Sequence, residues 1–146
     1  MEAVREMIEV EQEIIDEFEL FDDWSDRYEH LINEGKSLPL IDTIYKDEDH
    51  LVKGCQSLVW LHADHGNERM HYTADSDAII TKGMIALLLR VLNDRTPDEI
   101  INAKLAFIDR INLKEHLSPG RANGLVSMLR KIKIYALAFK TTNHQT

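Results

Sequence analysis

The only cysteine of the chain, Cys55, stands in the stretch Val52-Lys53-Gly54-Cys55-Gln56-Ser57-Leu58-Val59-Trp60. A lone cysteine is most often a small core residue, yet the neighbours of this one are those of a turn. Gly54 lets the backbone bend where a Cβ would clash, and Gln56 and Ser57 are polar. A thiol on a tight, accessible loop becomes a nucleophile once something lowers its pKa or brings an electrophile to it. The chemistry on offer is therefore nucleophilic attack by sulfur.

Other constellations offer less. His62 and His65 resemble a metal pair, but strand residues at that spacing face opposite sides. His71 is the only further ligand at hand, and zinc takes a fuller set, so no metal site is expected. Asp75 and Asp77 can be read as paired carboxylates for acid–base work. Lying directly before an apolar helical run, Asp75-Ser76-Asp77 reads first as a helix cap. Arg121 falls in the first turn of the last helix, where a cation opposes the helix dipole. It is read as a binding residue, against the plainer reading of a surface arginine. No Gly-x-Ser-x-Gly elbow and no phosphate-cradling glycine loop occurs.

The elements that must position Cys55 follow from periodicity. Val4, Met7, Ile8, Ile14, Ile15, Phe18 and Phe21 form one apolar stripe of a leading helix over residues 1–21. Its acidic faces, with Glu2, Glu6, Glu9, Glu11, Glu13, Asp16, Glu17 and Glu19, read as solvated, or else as a docking surface for a basic partner. Asp22 or Asp23 caps a second helix carrying Trp24, Tyr28, Leu31 and Ile32, with Gly35 at its C-terminal cap. Residues 50–53, 58–64 and 69–74 predict three antiparallel strands, with a hairpin turn at His65-Gly66-Asn67. Met70, Tyr72 and Ala74 share one face. Cys55 then lies in the first strand connection, at one end of the sheet.

The second half is helical. A central buried helix starts at Ala78 and runs through Leu92, and Gly83 inside it predicts close packing. Thr96-Pro97-Asp98-Glu99 opens another helix with a capping box. Residues 107–117 read as irregular or broken helix. Ser118-Pro119 starts the last one, which runs through Met128, Ile132 and Phe139, and residues 141–146 are expected to fray. The chain thus reads as one α+β domain over residues 1–146, a small antiparallel three-stranded sheet packed against several helices.

Composition narrows the classes. The 146 residues suffice for one real core, and 44% hydrophobic with 29% charged residues is ordinary for a globular protein. A net charge of −9 argues against nucleic-acid binding, which needs a Lys/Arg patch. No apolar run reaches the roughly 18 residues of a membrane span, and the acidic N-terminus is unlike a signal peptide. A single cysteine cannot close an internal disulfide, so a reducing, cytoplasmic setting is expected.

Several motifs then follow in order: Asp23-Trp24, Arg27-Tyr28, Leu38-Pro39, Gly54-Cys55-Gln56-Ser57 with Val59-Trp60, and Asp75-Ser76-Asp77-Ala78 with Lys82-Gly83. Leu117-Ser118-Pro119, Arg121 and Asn123-Gly124-Leu125 with Met128 complete the series. Together, over residues 23–128, they resemble the SufE family of sulfur acceptors in iron–sulfur cluster assembly. Leu58 departs from the pattern, which favours a polar residue there, and the acidic leading helix is longer than the pattern requires.

The resemblance implies a SufE/IscU-like fold, no cofactor, and a carrier in place of an enzyme. Its partner would be a SufS-type, pyridoxal-phosphate-dependent cysteine desulfurase. The Cys55 thiolate would attack the outer sulfur of the desulfurase persulfide, a relative of thiol–disulfide exchange. It would stimulate that enzyme and pass sulfur to a SufB-type scaffold complex, acting as a monomer or weak dimer. One thiol suffices, because a second would resolve the persulfide and release sulfide. The N–H groups of Gln56 and Ser57 would stabilise the thiolate. Gly54 would let the loop swing out of an apolar resting hollow, and Asp75 and Asp77 would hold it closed. Lys82, Arg121, Asn123 and Gly124 fall at loop or partner-contact positions. An IscU-type scaffold needs several thiolates to hold iron, and this chain has one. Two other readings stay open: a peroxide-sensing thiol that forms a sulfenic acid at Cys55, and an interaction module in which Cys55 is structural.

Overall fold

In the computed structural model the described backbone covers residues 6–144, and side chains are described as far as residue 141. Glu2 and Val4 of the expected leading helix lie outside that range, as do residues 145–146 of the expected tail. Helix α1 is Met7–Glu19, α2 is Trp24–Gly35 and α3 is Ile79–Leu92. Helix α4 is Pro97–Ile101, α5 is Phe107–Arg110 and α6 is Pro119–His144.

Helix α3 is the element the others wrap. Gly83 to Leu89 are all buried, and a helix apolar on every side must be covered on every side. Helix α2 crosses it so closely that a Cβ at Gly83 would lie 2.2 Å from the Leu31 carbonyl oxygen. The fit is reciprocal, since a Cβ at Gly35 would lie 3.0 Å from the Gly83 nitrogen. The expected C-cap role of Gly35 is therefore corrected. It ends α2 as a buried contact residue, and Lys36 caps in an ordinary right-handed conformation. Helix α1 packs Val10, Ile14, Ile15 and Phe18 inward. Arg90 of α3 donates to Glu13, Glu17 and Glu34, so two acids of α1 meet one guanidinium and do not simply face water.

Strands β1 (Val59–Gly66) and β2 (Arg69–Ser76) pair antiparallel from Val59↔Ser76 to Gly66↔Arg69. Asn67 and Glu68, both at positive φ, form the two-residue turn, one position later than predicted. Met70, Tyr72 and Ala74 are buried on one face as expected, and the Tyr72 hydroxyl donates to the Ile132 carbonyl of α6 at 2.7 Å.

The expected third strand does not form. Asp47 caps a short 3-10 turn over Glu48–His50, and Gly54 bends the chain again just beyond. Between these bends only one bridge fits, Leu51↔Trp60, with the Val52 N–H donating to the Val59 carbonyl at 2.8 Å. Leu40 adds an isolated parallel bridge to Ala74. The fold is α+β as expected, with a sheet of two strands, not three.

The later helix signals hold. Thr96 and Glu99 form the capping box of α4, and α5 is short, followed by a 3-10 turn at Lys114–His116. The Ser118 hydroxyl accepts from the Arg121 N–H at 3.3 Å. Helix α6 continues past Thr141 to His144.

Candidate functional site

The Cys55 loop is held at both ends. At the near end sits the Val52–Val59 hydrogen bond. At the far end the Leu58 N–H donates to Asp77 Oδ1 at 3.0 Å, and the Asp77 N–H donates to the Leu58 carbonyl at 3.3 Å. Between them Gly54 adopts φ 91°, a conformation that L side chains rarely take.

The loop lies on the first turns of α6, where three small residues make a shelf. A Cβ at Gly54 would meet Ser127 Oγ at 2.5 Å, and one at Gly120 would meet Gln56 Oε1 at 2.4 Å. A Cβ at Gly124 would stand 3.5 Å from Cys55 Sγ. Positions 120, 124 and 127 recur at helical spacing. That recurrence of small residues was the available signal for Gly120 and Ser127, which sequence reasoning missed.

Cys55 is half-buried, with its S–H directed to the Gly124 carbonyl at 3.6 Å. Its hollow is lined by Thr81, Met84, Gly120, Arg121, Gly124 and Met128, and leaves a void of only about 10 Å³. Burial pushes the thiol above its ordinary value of 9.0. The resemblance assigns thiolate stabilisation to the Gln56 and Ser57 N–H groups. Among the described residues neither N–H donates to Sγ, and the closed loop stores a protonated thiol.

Asp75 and Asp77 do not cap α3. The N-cap position is Ala78, and its N–H donates to Ser76 Oγ at 3.2 Å. Asp77 instead tethers the loop end at Leu58. Asp75 makes no hydrogen bond to the loop among the described residues. It pairs with Lys46 at 2.5 Å and Lys82 at 3.3 Å. Burial pushes the Asp75 carboxyl up, but hydrogen bonds from Lys46, the Ser76 N–H and Lys82 outweigh it and hold the group below the ordinary carboxylate value. Lys46, which also lies over the Trp60 ring, escaped sequence reasoning because it sits in a polar stretch without a motif.

Arg121 is exposed at the rim of the Cys55 hollow, and its guanidinium has no hydrogen bond or ion pair among the described residues. Asn123 is exposed, and Gly124 is buried beneath the thiol. Leu58, the departure from the family pattern, is 47% exposed.

Among the described residues, His62, His65 and His71 do not converge. His62 stacks on Tyr45 and approaches His50, His65 packs on Phe139, and His71 pairs with Asp94. Glu17, His30 and Glu34 do come together. Arg90 donates to both of those carboxylates, so a cation already occupies the position an ion would need.

These features mark a class: an α+β protein whose one thiol lies half-buried on a loop that a positive-φ glycine turns onto the last helix. Residues 12–136 match the family model of SufE, the Fe-S metabolism associated domain, and the chain belongs to the SufE family. It is 40% identical over 126 residues to an uncharacterised SufE-like protein of Rhizobium meliloti (strain 1021), covering 83% of this chain and 90% of that one. It is 36% identical over 127 residues to a SufE-like protein of Synechocystis, covering 87% and 80%. The SufE-like protein 1 of Arabidopsis thaliana, described as chloroplastic/mitochondrial, is 36% identical over 138 residues, which are 94% of this chain and 37% of that longer one. The solution structure of a hypothetical protein from Thermus thermophilus has the same fold, with TM-score 0.75 at 19% identity, covering 90% of this chain and 96% of that one. Membership associates the chain with iron–sulfur metabolism in the general role of a sulfur acceptor. Among the described residues no helix is long and apolar enough to cross a membrane.

Proposed function

We propose that Cys55 accepts sulfur from the persulfide of a SufS-type cysteine desulfurase, stimulates that enzyme, and passes the sulfur on to a SufB-type scaffold. One observation carries the reading: the sole thiol is stored under a loop that glycine geometry allows to close. The Cys55 thiolate attacks the outer, sulfane sulfur of the donor. A new S–S bond forms at Cys55, the donor's S–S bond breaks, and the electron pair leaves on the donor's cysteine thiolate. No external oxidant or reductant is needed.

The closed hollow has no room for the added sulfur, since its void of about 10 Å³ is scarcely one water probe in volume. Loading therefore requires the loop to leave the shelf, and opening also returns the thiol toward its ordinary pKa. Arg121, at the rim, is the contact for the donor. Lys82 and Asn123 are assigned to the same surface, and Asp77 to loop closure. The working unit is one cytoplasmic domain, a monomer or weak dimer.

The test is intact mass spectrometry after incubation with a SufS-type desulfurase and L-cysteine. The expected result is a gain of one sulfur atom, lost on adding reductant and absent in Cys55→Ala. Arg121→Ala is expected to weaken desulfurase stimulation and leave the thermal transition unchanged. No sulfur gain, with fast oxidation of Cys55 by peroxide, would replace the carrier reading with a redox one. No change in either experiment would make Cys55 structural.

A further inference from the structure

Helix α6 carries a second surface, chemically unlike the Cys55 hollow. From His116 to Thr146 the chain has five basic residues and no Asp or Glu, although its net charge is −9. Helix α6 buries Leu125, Met128, Ile132 and Ala136 and turns Val126, Ile134 and Leu137 outward, 41%, 50% and 54% exposed. With Arg130 and Lys133 these recur at threes and fours, one stripe about 16 Å long at 1.5 Å per residue.

The stripe lines a shallow groove of about 380 Å³ whose only charged side chains are Arg130 and Lys133. Arg130 has no hydrogen bond or ion pair among the described residues. Lys133 donates to the Ala103 carbonyl at 2.7 Å, which orients the ammonium without cancelling its charge. A contiguous exposed apolar surface rimmed by charge marks an interaction site.

The stripe is also joined to the thiol. An adjoining groove, lined by Lys53, Ser127, Arg130 and Ile134 and also by Glu48 and Asp49, runs from it to the Cys55 loop, and Gly54 packs on Ser127. An occupant of the stripe thus reaches the edge of the loop that must open.

We infer that this stripe is the docking face for the sulfur-donating desulfurase, which lays on it an acidic amphipathic segment. Apolar side chains at helical spacing meet Val126, Ile134 and Leu137, and Asp or Glu side chains face Arg130 and Lys133. The inference rests on the carrier reading for its choice of partner. Charge complementarity supports it, because a chain this acidic repels acidic proteins in general and needs a local basic face to receive one.

The experiment titrates the full chain against a SufS-type cysteine desulfurase at low and moderate salt. Arg130→Glu and Leu137→Ser are each expected to weaken binding about tenfold or more, with melting temperatures unchanged. Arg130→Glu should also flatten the salt dependence, and sulfur should still reach Cys55 at saturating desulfurase. Lys36→Glu, a charge reversal at the exposed end of α2, is expected to leave binding intact.

Affinities of both stripe variants within about twofold of wild type would overturn the inference, as would an equal loss in Lys36→Glu. Sedimentation could show instead that a second copy covers the stripe, through the acidic α1 with its exposed Ile8 and Leu20. Self-association abolished by Arg130→Glu, with desulfurase binding untouched, would do so and overturn the choice of occupant. RNA binding lost in the same variant, again with desulfurase binding untouched, would overturn it equally. Stripe-dependent binding with no sulfur on Cys55 would keep the docking face and sink the carrier reading. Loading that ignores the stripe would do the reverse, and no binding by the wild type would remove both.

Discussion

Replacing Gly54 by alanine tests the closed loop most directly. The new Cβ would sit on a backbone at φ 91°, 2.5 Å from Ser127 Oγ. Left-handed backbone costs an L-residue about 1–2 kcal/mol, and the contact forces either Ser127 to rotate or the loop to lift. Both penalties belong to the closed loop, because an open loop can choose negative φ. The closed–open balance therefore shifts toward open by about 1–2 kcal/mol, a factor of about 5–30. Iodoacetamide reaches the stored thiol through the open form, so its rate follows the open population. Gly54→Ala is expected to be alkylated about 5–30 times faster than wild type at mildly alkaline pH. Urea unfolding measured alongside shows that the change is local. Adding Ser127→Ala removes Oγ and leaves only the Ser127 Cβ position, 3.4 Å away, so the double variant should fall between the two. An alkylation rate equal to or below wild type in Gly54→Ala would refute the claim that a glycine-only conformation closes the loop.

Other perturbations follow from the same contacts. Burial raises the Cys55 thiol above 9.0, so the closed loop's preference is full below that pH and is lost as pH rises through the raised value. Alkylation should keep climbing beyond pH 9.0, and a plateau at the ordinary thiol value would contradict this. Asp77→Ala removes the acceptor for the Leu58 N–H. With the site exposed, a cost of about 0.5–1 kcal/mol is expected, read as alkylation about 2–5 times faster; no acceleration would mean the tether is idle. Arg90→Met leaves Glu13, Glu17 and Glu34 without their shared cation and is expected to lower unfolding stability by about 2–3 kcal/mol at neutral pH. The Arg90 hydrogen bond holds the Glu17 carboxyl below 4.5. That advantage is present above pH 4.5 and disappears as pH falls through the lowered value, so the two unfolding curves should converge in acid. Curves that stay parallel would remove the ion pair as the cause.

Much of the architecture was legible because its causes are local. The Thr96–Glu99 box, the alternation of Met70, Tyr72 and Ala74, and the all-apolar α3 are satisfied within a turn or along one strand face. The third strand was misread for a related reason. Residues 50–53 have strand-like composition, but pairing needs length, and the bends at Asp47 and Gly54 leave room for one bridge. Gly35 resembled a cap because helix ends favour glycine; the approach of Gly83 shows why glycine is there. Asp75 and Asp77 looked like caps for the same local reason. Their partners Lys46 and Leu58 lie 29 and 19 residues away along the chain, beyond any motif.

The reagent is written in the order of the amino acids. One thiol and no other cysteine exclude an internal disulfide, and the ordered motifs around Cys55 carry the family. The state of that thiol belongs to the fold. Helix α6 brings Gly120, Gly124 and Ser127 under a loop that is 69 positions from Gly124 in the chain. Burial follows from that crossing, and burial raises the cost of forming a thiolate. No spacing of residues along the chain encodes how two distant segments come to lie against each other, and that arrangement sets whether Cys55 is stored or exposed.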